Sequence, residues 1–164
     1  MIAYKGLNVL ANALKLIAER PDWRLTIAGA GPALTETMRA RFNDERIALR
    51  PEFLSDDDLD LLIDAHDIVL APYRDATQSG VVAQALARGK PVVATPVGAL
   101  PEQLGAGRAG WIADAATAEA FGEVLVRVLD DSEGRAAKAR GARALATEIW
   151  DGEAWHWLSN QAQL

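Results

Sequence analysis

The sequence predicts an α/β fold: one domain with a doubly wound, mostly parallel, Rossmann-like sheet. Three observations carry this expectation. Apolar residues switch repeatedly between helical and strand spacing along the chain. The strand candidates end in loops rich in glycine or proline. Strands and helices alternate, and that order implies right-handed crossovers between parallel neighbours.

The elements follow in order. Leu7, Leu10, Ala11, Leu14, Ile17 and Ala18 recur at helical spacing, and Pro21 stops the helix. Residues 23–28 read as a strand ended by Gly29-Ala30-Gly31-Pro32, with a helix over 33–42. Residues 47–49 form a short strand. Ser55 opens a helix carrying Leu59, Leu61, Leu62 and Ala65. Residues 67–71 form a continuous apolar strand, the pattern of a strand covered on both faces. Residues 81–86 are helical and are closed by Gly89; residues 91–95 and 110–113 are strands. Alanine-rich helices follow over 115–130 and 133–147, and the tail from residue 150 to 164 is also expected to be helical.

Composition narrows the function. The 164 residues can bury a sizeable core, and 50% hydrophobic with 24% charged residues is ordinary for a globular domain. The net charge of −6 argues against a general nucleic-acid binder, which shows a basic face. It leaves room for a small anionic ligand, because the local field decides that. No run of 18 apolar residues is present, so no membrane contact is expected from this segment. Cysteine is absent, which removes disulfides and thiolate zinc sites and suits a cytoplasmic location.

Ligands of open α/β sheets sit beyond the carboxyl ends of the strands. Four segments lie there. Gly29 and Gly31 allow close backbone approach to a ligand, or form a plain tight turn. The polar loop 71–80 holds Arg74, Thr77, Gln78 and Ser79. Ser79 is an N-cap candidate, and the amides of Gly80, Val81 and Val82 would then face an anion at the positive end of the helix dipole. Arg74 adds a fork of donors, or is simply solvated. In the loop 95–102, Glu102 can accept ligand hydroxyls, or start a short helix. Phe53, after Arg50-Pro51-Glu52, can pack on a base, or belong to the core.

The acids Asp56, Asp57, Asp58 and Asp60 resemble a metal site only superficially. Ser55 with Asp58 three residues on is a capping box, and one helix turn offers too few convergent oxygens for a hard cation. No metal site is expected. His66 and His156 lack local partners and read as structural. There is no Gly-x-Ser-x-Gly and no Gly-Lys-Ser/Thr, so α/β-hydrolase and P-loop chemistry have no support.

Five ordered segments point further: Lys5-Gly6-Leu7; residues 25–32; 67–73; 85–95; and Val97-Gly98-Ala99-Leu100-Pro101-Glu102. Together they resemble the C-terminal, donor-binding domain of GT-B glycosyltransferases of family 4, over most of residues 4–130. The resemblance implies binding of a nucleotide-diphosphate sugar and retaining sugar transfer in polysaccharide biosynthesis, with no metal or other cofactor. It places Lys5 on the donor diphosphate, beside an arginine a few residues upstream that this chain lacks. Gly29, Gly31 and the loop 77–81 would border the phosphates, with Arg74 nearby. Phe53, Gln78, Gln84 and Glu102 would border the nucleoside or sugar. Family members carry two glutamates eight positions apart; the corresponding positions here, anchored on Gly89, are Ala76 and Gln84. Gln84 can bond a ribose hydroxyl, whereas Ala76 cannot bond the donor sugar. A nucleotide-sugar epimerase and a non-catalytic nucleotide-sugar-binding or interaction domain are the competing readings.

The resemblance also sets an expectation about extent. The family's domain opens on a strand, whereas this sequence goes almost directly into a helix. The chain is therefore expected to be a fragment, without the first strand and the N-terminal acceptor domain. It is expected to be inert alone and prone to self-association, with Trp150, Trp155 and Trp157 adding an apolar patch.

Overall fold

The structure, a computed structural model, describes residues 3–151. Trp155, His156 and Trp157, with most of the expected tail helix, lie outside the described residues. The strands are β1 (Leu25–Ala28), β2 (Ile47–Arg50), β3 (Val69–Ala71), β4 (Val92–Ala94) and β5 (Gly110–Ile112). The helices are α1 (Leu7–Ala13), α2 (Glu36–Ala40), α3 (Asp56–Asp64), α4 (Gly80–Ala87), α5 (Leu100–Gln103), α6 (Ala118–Asp130) and α7 (Ser132–Asp151). A 3-10 segment, Leu14–Ile17, prolongs α1.

Every strand pair is parallel. β1 pairs with β2, with Leu25 opposite Ile47 and Ile27 opposite Leu49. β3, β4 and β5 form a second ladder, with Val69 opposite Val92 and Val92 opposite Gly110. β4 shows why helices cover both faces. Its side chains alternate, so Val93 enters the core built by α1 and α6, while Val92 and Ala94 enter the core built by α4, α5 and α7. All three residues are fully buried. The α/β class and the parallel strands agree with the sequence.

Several details differ from expectation, each for a visible reason. Residues 67–71 read as covered on both faces, yet Val69 and Leu70 are only half-buried. β3 has a ladder partner on one side only among the described residues, as does β1, whereas β4 is flanked twice. The helix expected over 33–42 starts only at Glu36, because Thr35 accepts the Met38 amide (3.2 Å) and fixes the cap there. The first strand begins at Leu25. Trp23 instead donates its indole N–H to the Ile17 carbonyl (2.9 Å) and lies under the Arg46 guanidinium (4.2 Å).

His66 is structural, as its sequence context suggested. Its Nδ1 lies 2.8 Å from the Leu62 carbonyl, so that nitrogen carries the proton in the neutral ring. Nε2 then accepts from the Thr26 hydroxyl at 2.9 Å, which ties β1 to the end of α3. Ser55 caps α3 by accepting the Asp58 amide (3.1 Å). The Asp58 carboxylate takes the Ser55 hydroxyl (2.7 Å) and not its amide, a variant of the expected box.

Candidate functional site

The site is assembled where the turn before α1 meets the loops after β3 and β4. Gly6 makes the first contact. A Cβ there would lie 1.7 Å from the Pro72 carbonyl oxygen, so only glycine lets the turn lie against the β3–α4 loop. The Arg74 amide then bonds the Tyr4 carbonyl (2.8 Å). The rings of Tyr4 and Tyr73 meet edge to face at 5.8 Å.

Lys5 is held in this angle. Its ammonium donates to the Tyr73 hydroxyl (2.8 Å) and sits 4.2 Å from the Tyr73 ring centre and 5.0 Å from that of Tyr4. Burial alone would lower its pKa, but the bond to Tyr73 and the contact with Tyr4 outweigh it, and the net displacement is upward. Lys5 therefore stays charged throughout the neutral range.

The same Tyr73 hydroxyl lies 3.1 Å from the Ser79 hydroxyl. Ser79 is buried and caps α4 by accepting the Val82 amide (3.3 Å). Gln103, which the sequence did not single out, brackets Ser79 from α5. Its Oε1 accepts the Ser79 amide (3.0 Å), and its Nε2 donates to the Ser79 carbonyl (3.4 Å). These bonds correct the expected anion cradle. The Ser79 and Val82 amides are taken, which leaves Gly80 and Val81 as the first-turn amides without an acceptor in the helix.

The loop after β4 is locked to the loop after β3. Thr95, fully buried, donates its hydroxyl to the Tyr73 carbonyl (2.6 Å). The Ala99 amide bonds the Thr77 carbonyl (3.2 Å). Gly98 has φ +52, and a Cβ there would lie 1.4 Å from the Ala76 carbonyl oxygen.

The other candidates are placed unevenly. Arg74, Thr77 and Gln78 are exposed on the same loop, and their side chains make no hydrogen bond or ion pair among the described residues. Gln84 follows Gly80 by one helical turn and is half-buried. Glu102 is exposed within α5, the short helix anticipated as its alternative setting. Gly29 and Gly31 have φ 119 and 135 and close the carboxyl end of β1. No hydrogen bond joins them or Phe53 to Lys5 or Ser79 among the described residues. Phe53 is 85% exposed, which removes its reading as core. Ala76 is buried against the Gly98 loop, so its side chain does not line an open surface.

A donor inventory shows what the cluster can do. Tyr73 and Ser79 bring two hydroxyl protons but share one bond, so one proton is left without an acceptor. Lys5 uses one of three ammonium protons. Among the described residues no carboxylate hydrogen-bonds to the cluster. Donors in excess of acceptors at the start of an eight-residue helix are the chemistry that an anion site requires. A second polar hollow lies at the amino ends of β1 and β2, lined by Arg20, Arg24, Asp44 and Arg46 among others. Its arginines are already committed: Arg20 to Asp22 and Asp130, Arg24 to the Trp23 carbonyl, and Arg46 to Asp44.

The family model described as "Glycosyl transferases group 1" matches residues 1–131. The chain belongs to the group 1 glycosyltransferases. It is similar to the D-inositol 3-phosphate glycosyltransferase of Corynebacterium glutamicum (strain R), with 30% identity over 98% of this chain and 39% of that protein. This group 1 glycosyltransferase chain thus spans about two fifths of that relative's length. Its fold is that of sucrose-phosphate synthase from Thermosynechococcus elongatus, with TM-score 0.79 and 19% identity over 99% of this chain and 43% of the other. It is also that of Anabaena Alr3699/HepE, solved in complex with UDP, with TM-score 0.75 and 21% identity over 90% and 42%. Among the described residues, no helix is long and apolar enough to cross a membrane.

Proposed function

We propose that this chain is the donor-binding half of a retaining glycosyltransferase that takes a nucleotide-diphosphate sugar. The carrying observation is the surplus of donors around Lys5, Tyr73 and Ser79 at the start of α4. In the transfer, the bond from the anomeric carbon to the diphosphate breaks. The leaving nucleoside diphosphate keeps the electron pair, while an acceptor hydroxyl bonds that carbon and passes its proton to the departing diphosphate oxygen. Charge grows on the diphosphate oxygens, where fixed donors stabilise it without reorganising. Lys5, the Ser79 hydroxyl and the amides of Gly80 and Val81 would take the phosphates, with Arg74, Thr77, Gly29 and Gly31 bordering them. Gln84, Gln78, Phe53 and Glu102 would border the nucleoside and sugar. Family membership and the UDP complex of a protein with the same fold support this reading.

The acceptor site belongs to a second domain of the whole protein, which would work in the cytoplasm on polysaccharide synthesis. The test is calorimetry with a panel of nucleoside diphosphates. One of them should bind, and Lys5→Ala should weaken it by about 1–3 kcal/mol, the range for charge-assisted hydrogen bonds. A chain that binds none of them refutes the reading. The burial of Ala76 favours one competitor, a domain that binds the nucleotide sugar without turning it over. A sugar-transfer assay on the whole protein separates the two.

A further inference from the structure

Lys5 and Ser79 are the two side-chain donors of the proposed diphosphate site, and no hydrogen bond joins them directly. One atom connects them, the hydroxyl oxygen of Tyr73, 2.8 Å from the Lys5 ammonium and 3.1 Å from the Ser79 hydroxyl. Tyr73 is 5% exposed and is fixed from several sides. Thr95 holds its carbonyl, Tyr4 packs on its ring edge, and Gly6 admits the turn that brings Lys5 to it. A buried ring with so many supports is stiff, so its hydroxyl is a fixed point. A lysine stem is otherwise loose, and ordering it costs rotamer entropy on binding.

We propose that the Tyr73 hydroxyl is a positioning group that sets both Lys5 and Ser79 for a diphosphate, a role that rests on the donor-site reading above. The proton inventory allows either hydroxyl to donate, and the proposed arrangement is the one that frees the Ser79 proton. Lys5 donates to a lone pair of Tyr73, and the single phenolic proton goes to Ser79. Ser79 already accepts the Val82 amide, so both its lone pairs are engaged and its own proton points to the ligand. The chain of bonds converts two flexible donors into one directed set. Remove the phenolic oxygen and Lys5 loses its anchor, while Ser79 is free to turn.

The experiment is a double-mutant cycle on the 164-residue chain, titrated with UDP and GDP. Tyr73→Phe keeps the ring and its packing. It should raise the dissociation constant roughly 5- to 20-fold, a neutral to charge-assisted hydrogen bond's worth. Made on top of Lys5→Ala, the same change should cost at most half as many fold, because its main client is already gone. Equal fold losses in both backgrounds refute the role, since a purely structural tyrosine acts independently of Lys5. So does a Tyr73→Phe variant that binds as the wild type does. Failure of the wild type to bind UDP, GDP or any other nucleoside diphosphate of the panel sinks the donor reading itself and is distinguishable from both.

A spectroscopic readout covers a variant that fails to fold. In the wild type the Lys5 ammonium should give a slowly exchanging nitrogen–proton NMR signal that moves when UDP or GDP is added. A Lys5 ammonium exchanging as fast as that of exposed Lys15 refutes the anchoring.

Discussion

Gly98→Ala should loosen the seam on which the site is built. The new Cβ would sit 1.4 Å from the Ala76 carbonyl oxygen, against an ordinary contact of at least 3.4 Å, so one loop must retreat by the difference, about 2 Å. Alanine at φ +52 costs about 1–2 kcal/mol in itself. Retreat also breaks the bond from the Ala99 amide to the Thr77 carbonyl, worth about 1 kcal/mol. The sum is roughly 2–3 kcal/mol, or about 4–12 °C in melting temperature for a domain of this size. Thr77 lies two residues before the Ser79 cap, so nucleotide affinity should fall as well. The control is Gly80→Ala, where an added Cβ meets nothing within 4 Å. At the first position of α4 alanine should stabilise by about 0.5–1 kcal/mol through the unfolded chain. If the diphosphate lies on the amides of Gly80 and Val81, the same methyl should nonetheless hinder it. Thermal melting and calorimetry on both variants give the answer. A Gly98→Ala chain that melts within a degree of the wild type with equal affinity would refute the seam.

Gln84→Leu should weaken nucleotide binding with little change in melting temperature; normal binding with a large stability loss would make Gln84 structural. Ser55→Ala should cost about 1 kcal/mol as a lost cap, and magnesium or manganese should not bind at 56–60 more tightly than roughly millimolar. Acid should destabilise the β1–β2 side. Arg46 holds the Asp44 carboxyl down to about 2, from its ordinary 3.8. The stability from that pair is fully present above about pH 4 and is lost as the pH falls through 2. Asp44→Asn should flatten that part of an acid melting curve.

How much of this was legible in the sequence depended on the range of the interaction. The caps at Ser55 and Ser79 are visible because cap and amide are three residues apart. β4 is visible because a run flanked by strands on both sides must be apolar throughout, as Val92 and Val93 are. β3 was read as equally covered because its composition is the same, and composition does not record how many ladder partners a strand has. The helix start at Thr35 was missed because Gly31-Pro32 already looked like a boundary. Phe53 was ambiguous because an aromatic side chain carries no local mark of burial.

The site divides along the same line. Ser79, Gly80 and Val81 are legible as candidates because a cap and unpaired amides are assigned locally, whereas Lys5 is named only by the family resemblance. Tyr73 and Gln103 are not legible, since what they do exists only across distance. Tyr73 joins a lysine 68 positions earlier to a serine six positions later. Gln103 closes on Ser79 across 24 positions. The same fact explains Ala76. The position that matches a family glutamate is buried, with its own carbonyl oxygen packed against Gly98, a contact between residues 22 positions apart. If a donor sugar lies here, exposed polar side chains such as Thr77 and Gln78 on the loop and Glu102 on α5 are the groups able to reach it.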